Sequence, residues 1–174
     1  MKLSKNCMAS LTLILLMGLT STAHAGGIFY FGAGQADEEN AQSSGDTPFV
    51  IGGLGFSQES KMVFGFDLAR EGTMLDSTFG QDSLSQALSV NVLLGRNFYD
   101  NGTIRVDAAG ILGIRETFAD CPDSFLGFQC YADTAPSTEY DVNYGALLTV
   151  SFSRASLGVR ITGESTQAVL GLKF

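Results

Sequence analysis

The sequence predicts an all-β protein in which eight antiparallel strands close into an up-and-down barrel. Apolar residues recur with a period of two, short and long connections alternate along the chain, and no long amphipathic helix pattern is present. From Leu88 to Leu94 every second residue is large and apolar. A further alternating run begins at Ile104, directly after Asn101-Gly102, a dipeptide typical of hairpin turns.

The same alternation extends over most of the chain after residue 26. Strands are predicted at residues 27–35, 49–56, 61–70, 86–98, 103–118, 140–152, 155–163 and 166–174. Long links are predicted at 36–48, 71–85 and 119–139, and all three prolines fall within them, so no predicted strand loses a backbone donor. Because eight antiparallel strands in an open sheet leave two unpaired edges, closure into a barrel is the expected arrangement.

The two faces of the predicted strands differ in a way that indicates a transmembrane barrel. One face is large, apolar and nearly free of charge, whereas the other carries small residues and a few charges of both signs. A water-exposed exterior would carry many more charges, so we expect the apolar face to meet lipid and the charges to neutralise one another in a narrow lumen. This predicted lumen charge network comprises Asp67, Arg105, Asp107, Arg115 and Arg160.

Aromatic residues are concentrated at the ends of the predicted strands. The set at the short-turn ends is Phe29, Phe56, Phe98, Tyr99, Phe152 and Phe174, and the set at the opposite ends is Phe49, Phe118 and Tyr140. Two rings of aromatic side chains are expected where a membrane barrel crosses the two lipid–water interfaces.

Residues 1–25 are predicted to be a cleaved signal peptide, which leaves 26–174 as the barrel domain. Lys2 and Lys5 precede an apolar run, and the segment ends in Ala23-His24-Ala25, the pattern of an export signal with its cleavage site. Cleavage leaves 8 basic and 18 acidic residues, a net charge of −10, and no histidine. Such an acidic chain is a poor match for nucleic acid, which is bound by basic surfaces.

Two cysteines, Cys121 and Cys130, remain after cleavage. An even pair in an exported protein favours one disulfide closing a short loop. The alternative is a metal site, for which two thiols without histidine are poorly suited. We therefore expect no metal and no cofactor.

The last predicted strand, with Leu170, Leu172 and Phe174 at alternate positions, resembles those of bacterial outer-membrane β-barrel proteins. Residues 29–34, Phe-Tyr-Phe-Gly-Ala-Gly, are similar to the first strand of small opacity-type and OmpA/OmpX-type barrels. The resemblance implies that Leu170, Leu172 and Phe174 act as an assembly signal for the barrel-assembly machinery. It also implies outer-membrane lipid around the barrel, short turns and both termini in the periplasm, and long loops outside the Gram-negative envelope.

The three long links are acidic. They carry Asp37, Glu38, Glu39, Asp46, Glu71, Asp76, Asp82, Asp120, Asp123, Asp133 and Glu139, and no basic residue. Solvated loops are the expectation, and contact with a basic partner or a divalent cation is the alternative. The sequence does not identify an extracellular partner.

These features predict a non-enzymatic surface protein, a lipid-embedded scaffold for adhesion or envelope integrity. Barrel enzymes that modify lipids or cleave proteins rely on histidine, and the predicted mature chain has none. One alternative is a small-solute, porin-like channel, and another is a soluble periplasmic barrel that carries a ligand.

Overall fold

The computed structural model describes residues 26–37, 47–57, 59–76, 83–120 and 137–174. These ranges form eight strands: β1 (Gly27–Ala36), β2 (Phe49–Phe56), β3 (Met62–Asp76), β4 (Ser83–Asp100), β5 (Ile104–Asp120), β6 (Ser137–Phe152), β7 (Ala155–Thr162) and β8 (Ser165–Lys173). Each strand pairs antiparallel with the next, and β8 pairs with β1 to close the barrel. The predicted fold class is therefore confirmed. The described residues include no helix with the length and apolarity needed to cross a membrane.

The two ends of the barrel differ. At one end, called the short-turn end below, lie the β2–β3, β4–β5 and β6–β7 turns, the start of β1 and the end of β8. The other end is called the loop end, and the β7–β8 turn lies there although it is also short. The β4–β5 turn shows why Asn101-Gly102 was informative, because Gly102 has a φ of 82°. The Asn101 carboxamide oxygen also accepts hydrogen bonds from the backbone N–H groups of Thr103 and Ile104, at 3.0 and 2.7 Å.

Four strands extend further toward the loop end than the sequence predicted. β3 reaches Asp76 and β4 begins at Ser83, while β5 reaches Asp120 and β6 begins at Ser137. The predicted links 71–85 and 119–139 were therefore too long. The alternation of large apolar residues stops before these strands end, because a strand that projects beyond an apolar zone can carry polar side chains on both faces.

The β3–β4 hairpin bends away from the barrel wall at the loop end. Pairing between the two strands shifts between Arg70 and Thr73, where Gly72 has a φ of 73°, a conformation that glycine adopts readily. Beyond this bulge, residues 75–76 pair in parallel with residues 118–119 of β5, although β4 separates β3 from β5 lower in the wall. A Cβ atom at Gly72 would lie 2.5 Å from a carboxylate oxygen of Glu164 in the β7–β8 turn, so this part of β3 lies across the mouth of the barrel.

The interior contains a layer of large apolar side chains that the sequence did not predict. It comprises Ile28, Leu54, Phe56, Val63, Leu93, Ile111, Leu147 and Val169, all buried. The expected lumen of small residues and paired charges is thus only part of the interior. The remainder of the interior is filled by apolar packing, because several strands also carry large apolar residues at their inward-facing positions.

Phe56 corrects the predicted aromatic girdle. It is only 2% exposed and lies in the lumen, because the even-numbered positions of β2 point inward. The other five predicted girdle residues of the short-turn end are exposed. At the loop end, Phe49 and Tyr140 are exposed and Phe118 is half-buried.

Candidate functional site: a buried polar cluster and an apolar outer belt

A cluster of three charged residues occupies the lumen near the loop end. Asp67, Glu71 and Arg160 all have 0% exposure. Arg160 contacts Asp67 through Nε at 2.9 Å and Nη2 at 3.2 Å, and contacts Glu71 through Nη1 at 2.7 Å and Nη2 at 2.9 Å. One guanidinium therefore serves two carboxylates, which leaves the buried trio with one surplus negative charge.

Neutral donors compensate that surplus charge. Besides Arg160, the Glu71 carboxylate accepts hydrogen bonds from Ser165 at 2.6 Å, Thr162 at 2.8 Å, Ser89 and Asn143 at 2.9 Å, and Gln167 at 3.4 Å. Hydrogen bonds to an ionised group are stronger than neutral ones, and each donor here replaces water that the carboxylate lost on burial. Glu71, predicted in a solvent-exposed loop, is instead the most heavily hydrogen-bonded side chain of the interior.

Asp67 is held in the same way by two donors and by the space a glycine leaves. Tyr30 donates its hydroxyl to Asp67 at 3.0 Å, and Asn91 donates at 2.7 Å. A Cβ atom at Gly52 would lie 2.6 Å from the Tyr30 ring and 2.7 Å from the Asp67 Cβ. The tyrosine reaches the carboxylate because position 52 has no side chain.

A second charged group lies at the short-turn end, centred on Arg105. Its Nε contacts both oxygens of Asp107, at 2.8 and 3.0 Å, and its Nη1 contacts Asp100 at 3.3 Å. The guanidinium also stacks on the Phe56 ring, 3.9 Å from the centroid, as in a cation–π contact. Asn97 completes the group by donating to Asp107 at 2.9 Å.

A third ion pair lies where the β3–β4 hairpin crosses the barrel mouth. Arg115 contacts Glu164, in the β7–β8 turn, at 2.9 Å, and donates to the backbone oxygen of Thr73 at 3.3 Å. Burial raises the pKa of the Glu164 carboxyl, although the nearby Arg115 charge lowers it. This pair ties the hairpin and the β7–β8 turn together above the buried cluster.

The five residues of the predicted charge network thus fall into three separate groups. Asp67 pairs with Arg160, Arg105 pairs with Asp107, and Arg115 pairs with Glu164 instead of another network member. Sequence reasoning missed Glu71, Asn91 and Asn143. The period-two alternation contained the signal for Glu71, because Asp67, Ala69 and Glu71 continue one inward row of β3.

The other predicted site residues are those of the assembly signal and the two cysteines. Leu170 and Leu172 are exposed on β8, and Phe174 exchanges two backbone hydrogen bonds of 3.0 Å with Gly27 where β8 meets β1. The predicted disulfide of Cys121 and Cys130 and the predicted signal peptide 1–25 lie outside the described residues. Among the residues that are described, no group of three or more His, Cys, Asp or Glu side chains could hold a metal ion.

The outer surface of the barrel is a continuous apolar belt to which every strand contributes. Its exposed side chains are Phe29, Phe31, Phe49, Ile51, Met62, Phe64, Phe66, Leu68, Val90, Val92, Leu94, Leu112, Ile114, Tyr144, Leu148, Leu157, Val159, Ile161, Leu170 and Leu172. On β3 and β4 the belt is bounded by two exposed arginines, Arg70 toward the loop end and Arg96 toward the short-turn end.

The height of this belt can be derived from the strand register. Arg96 is paired with Met62, about eight residues along β3 from Arg70. Eight steps of about 3.3 Å span roughly 26 Å along the strand, or about 20 Å vertically at a tilt near 40°. That height approaches the apolar band of about 25 Å found on outer-membrane barrels.

The comparisons with known proteins show a similarity to a solved structure. No protein-family model matches the chain, and no curated protein matches it in sequence. Among solved structures, the chain is similar to the outer membrane protein Ail of Yersinia pestis in a phospholipid bilayer nanodisc, at 12% identity and a TM-score of 0.45. The similarity covers 86% of this chain and 98% of that one. The barrel assignment here depends on the strand pairing of the chain itself.

Arg160→Met is predicted to destabilise the barrel by about 3–5 kcal/mol, because two buried carboxylates would lose their shared cation. The free energy of unfolding, measured by urea titration in lipid vesicles, checks this. Arg154→Met is the control, since Arg154 lies exposed in the β6–β7 turn, and it should change stability by less than about 0.5 kcal/mol. Equal losses of unfolding free energy in the two variants would show that the buried cluster stabilises the barrel no more than an exposed arginine does.

Gly52→Ala is predicted to cost about 1–3 kcal/mol by displacing Tyr30 from Asp67. The neighbouring Gly53→Ala is a matched control, because a Cβ there meets nothing closer than the Ile28 backbone oxygen at 3.7 Å. That variant should be neutral or slightly stabilising. The same urea titration measures both, and a Gly52→Ala protein as stable as the Gly53→Ala protein would show that the Tyr30–Asp67 contact is dispensable.

Proposed function

We propose that the protein is a non-enzymatic outer-membrane β-barrel, a lipid-embedded scaffold that presents acidic loops at the cell surface for adhesion or envelope integrity. The observation that carries this proposal is the apolar belt. A monomeric soluble protein rarely exposes a contiguous apolar patch larger than a few hundred Å², and here the patch encircles the barrel. Lipid is the environment in which such an exterior is favourable.

The orientation of the barrel follows from the export signal and the resemblance described above. In that orientation the short-turn end faces the periplasm and the loop end faces outward. At the loop end, Asp37, Glu139 and Asp141 are exposed, and the predicted loop acids outside the described residues add to them. The outward surface is therefore acidic, and a partner that binds it would be cationic.

The absence of histidine from the predicted mature chain supports a non-enzymatic role. Asp67 and Asp107, the pair that could suggest two catalytic carboxylates, belong to different groups and are each bound to an arginine. Asp67 and Glu71 do share one arginine, but both are fully buried and their oxygens are occupied by donors. A catalytic acid needs access to substrate.

The packed lumen favours the scaffold over both alternatives. A soluble carrier would need a polar exterior and an apolar cavity, whereas here the exterior is apolar and the interior is filled by the apolar layer and the charged groups. A small-solute channel would need an open path, and an eight-stranded barrel has room only for its own side chains.

The membrane proposal is tested by placing a charge on the belt. Val92→Arg, on the exposed face of β4, is expected to lower the free energy of unfolding in lipid vesicles by about 2–4 kcal/mol, the cost of arginine at the bilayer midplane. Leu84→Arg is the matched control, because Leu84 is also exposed on β4 but lies beyond the belt, and it should cost about 0–1 kcal/mol. If Val92→Arg were as mild as the control, the belt would not face lipid.

The channel alternative is tested separately by conductance. Purified protein inserted into planar bilayers is expected to give no stepwise current, because Arg160 and its partners fill the lumen. Reproducible single-channel steps that change size in Arg160→Met would overturn the scaffold assignment in favour of a pore.

A further inference from the structure

A polar cavity of about 330 Å³ opens at the short-turn end of the barrel. It is lined by Ser57 and Lys61 of the β2–β3 turn, Asn97 and Asp100 of β4, and Arg105 of β5. The volume falls at the lower end of the range found for small-molecule sites. Lys61 and Arg105 face Asp100 in the lining, and Asp107, which is bound to Arg105, brings the charge of these four groups to zero. Displacing the Asp100 carboxylate would leave one net positive charge at the cavity.

Arg105 is held in a fixed position at the inner wall of this cavity. The residue is only 8% exposed, its Nε is bound by Asp107, and its face rests on Phe56. Asp107 lies behind it, and its charge is met there by Arg105 and by the Asn97 amide. The guanidinium is thus held with little freedom to move, and its Nη1 atom contacts Asp100 in the cavity lining.

The Nη edge of Arg105 is only half occupied. Nη2 is buried and has no hydrogen-bond partner within the part of the chain that is described. Nη1 contacts Asp100 at 3.3 Å, the longest of the Arg105 ion-pair contacts, and the Asp100 side chain is 37% exposed. Asp100 is therefore the lining residue best able to move, and its carboxylate occupies the place where an incoming anion would bind.

We propose that this cavity binds an oxyanion, a carboxylate or a phosphate group. The anion would displace Asp100 and accept hydrogen bonds from Nη1 and Nη2 of Arg105 together, the paired geometry in which arginine binds oxyanions most strongly. Lys61 would supply the second positive charge at the entrance. The site is separate from the acidic loop end, and in the proposed orientation it faces the periplasm.

The experiment is a titration of the folded protein with inorganic phosphate and, separately, with acetate. A non-ionic detergent is used, since phosphocholine detergents carry a phosphate group of their own. Nuclear magnetic resonance follows the backbone amides of Lys61 and Gly102. The Gly102 amide donates to Asp100 at 2.9 Å and so reports any movement of that carboxylate. A saturable shift of both amides is expected, and the tighter of the two probes identifies the phosphate or the carboxylate as the group preferred.

Three variants decide the outcome. Lys61→Gln is expected to weaken binding about tenfold, equivalent to about 1.4 kcal/mol. Asp100→Asn is expected to tighten binding, because it removes the competing charge while its oxygen can still accept from Gly102. Arg154→Gln removes a positive charge from a neighbouring turn that does not line the cavity, and it should leave the affinity unchanged.

The opposite results would overturn the site. These are no saturable shift with either probe, unchanged or weaker binding in Asp100→Asn, or equal losses in Lys61→Gln and Arg154→Gln, which would indicate diffuse attraction only. Heat-modifiable gel mobility confirms that each variant is folded before titration. Because the assay needs only the folded barrel in detergent, its failure leaves the membrane proposal untouched.

Discussion

The barrel depends on one buried interaction, the Arg160 guanidinium shared between Asp67 and Glu71. Two desolvated carboxylates with one cation between them are unfavourable unless every remaining lone pair finds a donor. The donors come from β1, β4, β6, β7 and β8, and the carboxylates come from β3. β2 and β5 contribute Gly52 and Gly113, which leave space for Tyr30 and Asn91. Each of the eight strands is therefore held in register by this cluster, since a one-residue slip would turn its contribution outward.

The cluster also explains why the lumen is closed: its ion pairs connect opposite walls of the barrel. The ion pairs reach across the lumen from β3 to β7, the apolar layer fills the half below them, and the β3–β4 hairpin crosses the mouth above them. With the lumen packed, the surfaces left for function are the apolar outer belt, the acidic loop end and the polar cavity at the short-turn end. The three are chemically distinct, so one barrel presents different chemistry on its wall and at each of its ends.

Much of the architecture was predictable because a strand in a closed barrel has only two faces. The alternation from Leu88 to Leu94 located an outward row, and Asn101-Gly102 located a turn that the structure contains. The errors lie at the ends of predicted strands. Glu71 was placed in a loop because the strand was predicted to end at residue 70. Phe56 was placed in the girdle because it is an aromatic residue at a strand end. Both belong to inward rows, as their buried side chains show.

The sequence by itself determined the strand count and outward rows such as Leu88 to Leu94, because a period of two is a local property of the chain. It also predicted closure into a barrel, because an open sheet of eight strands leaves two unpaired edges. Only the tertiary structure decided which charges meet. Asp67 and Arg160 are 93 residues apart, and Arg115 pairs with Glu164 instead of the nearer Asp107. Alternation specifies the face of the strand on which a side chain lies, but not the height of that side chain along the barrel axis. Height depends on the stagger of all eight strands around the closed barrel, which exists only when the last strand has paired with the first.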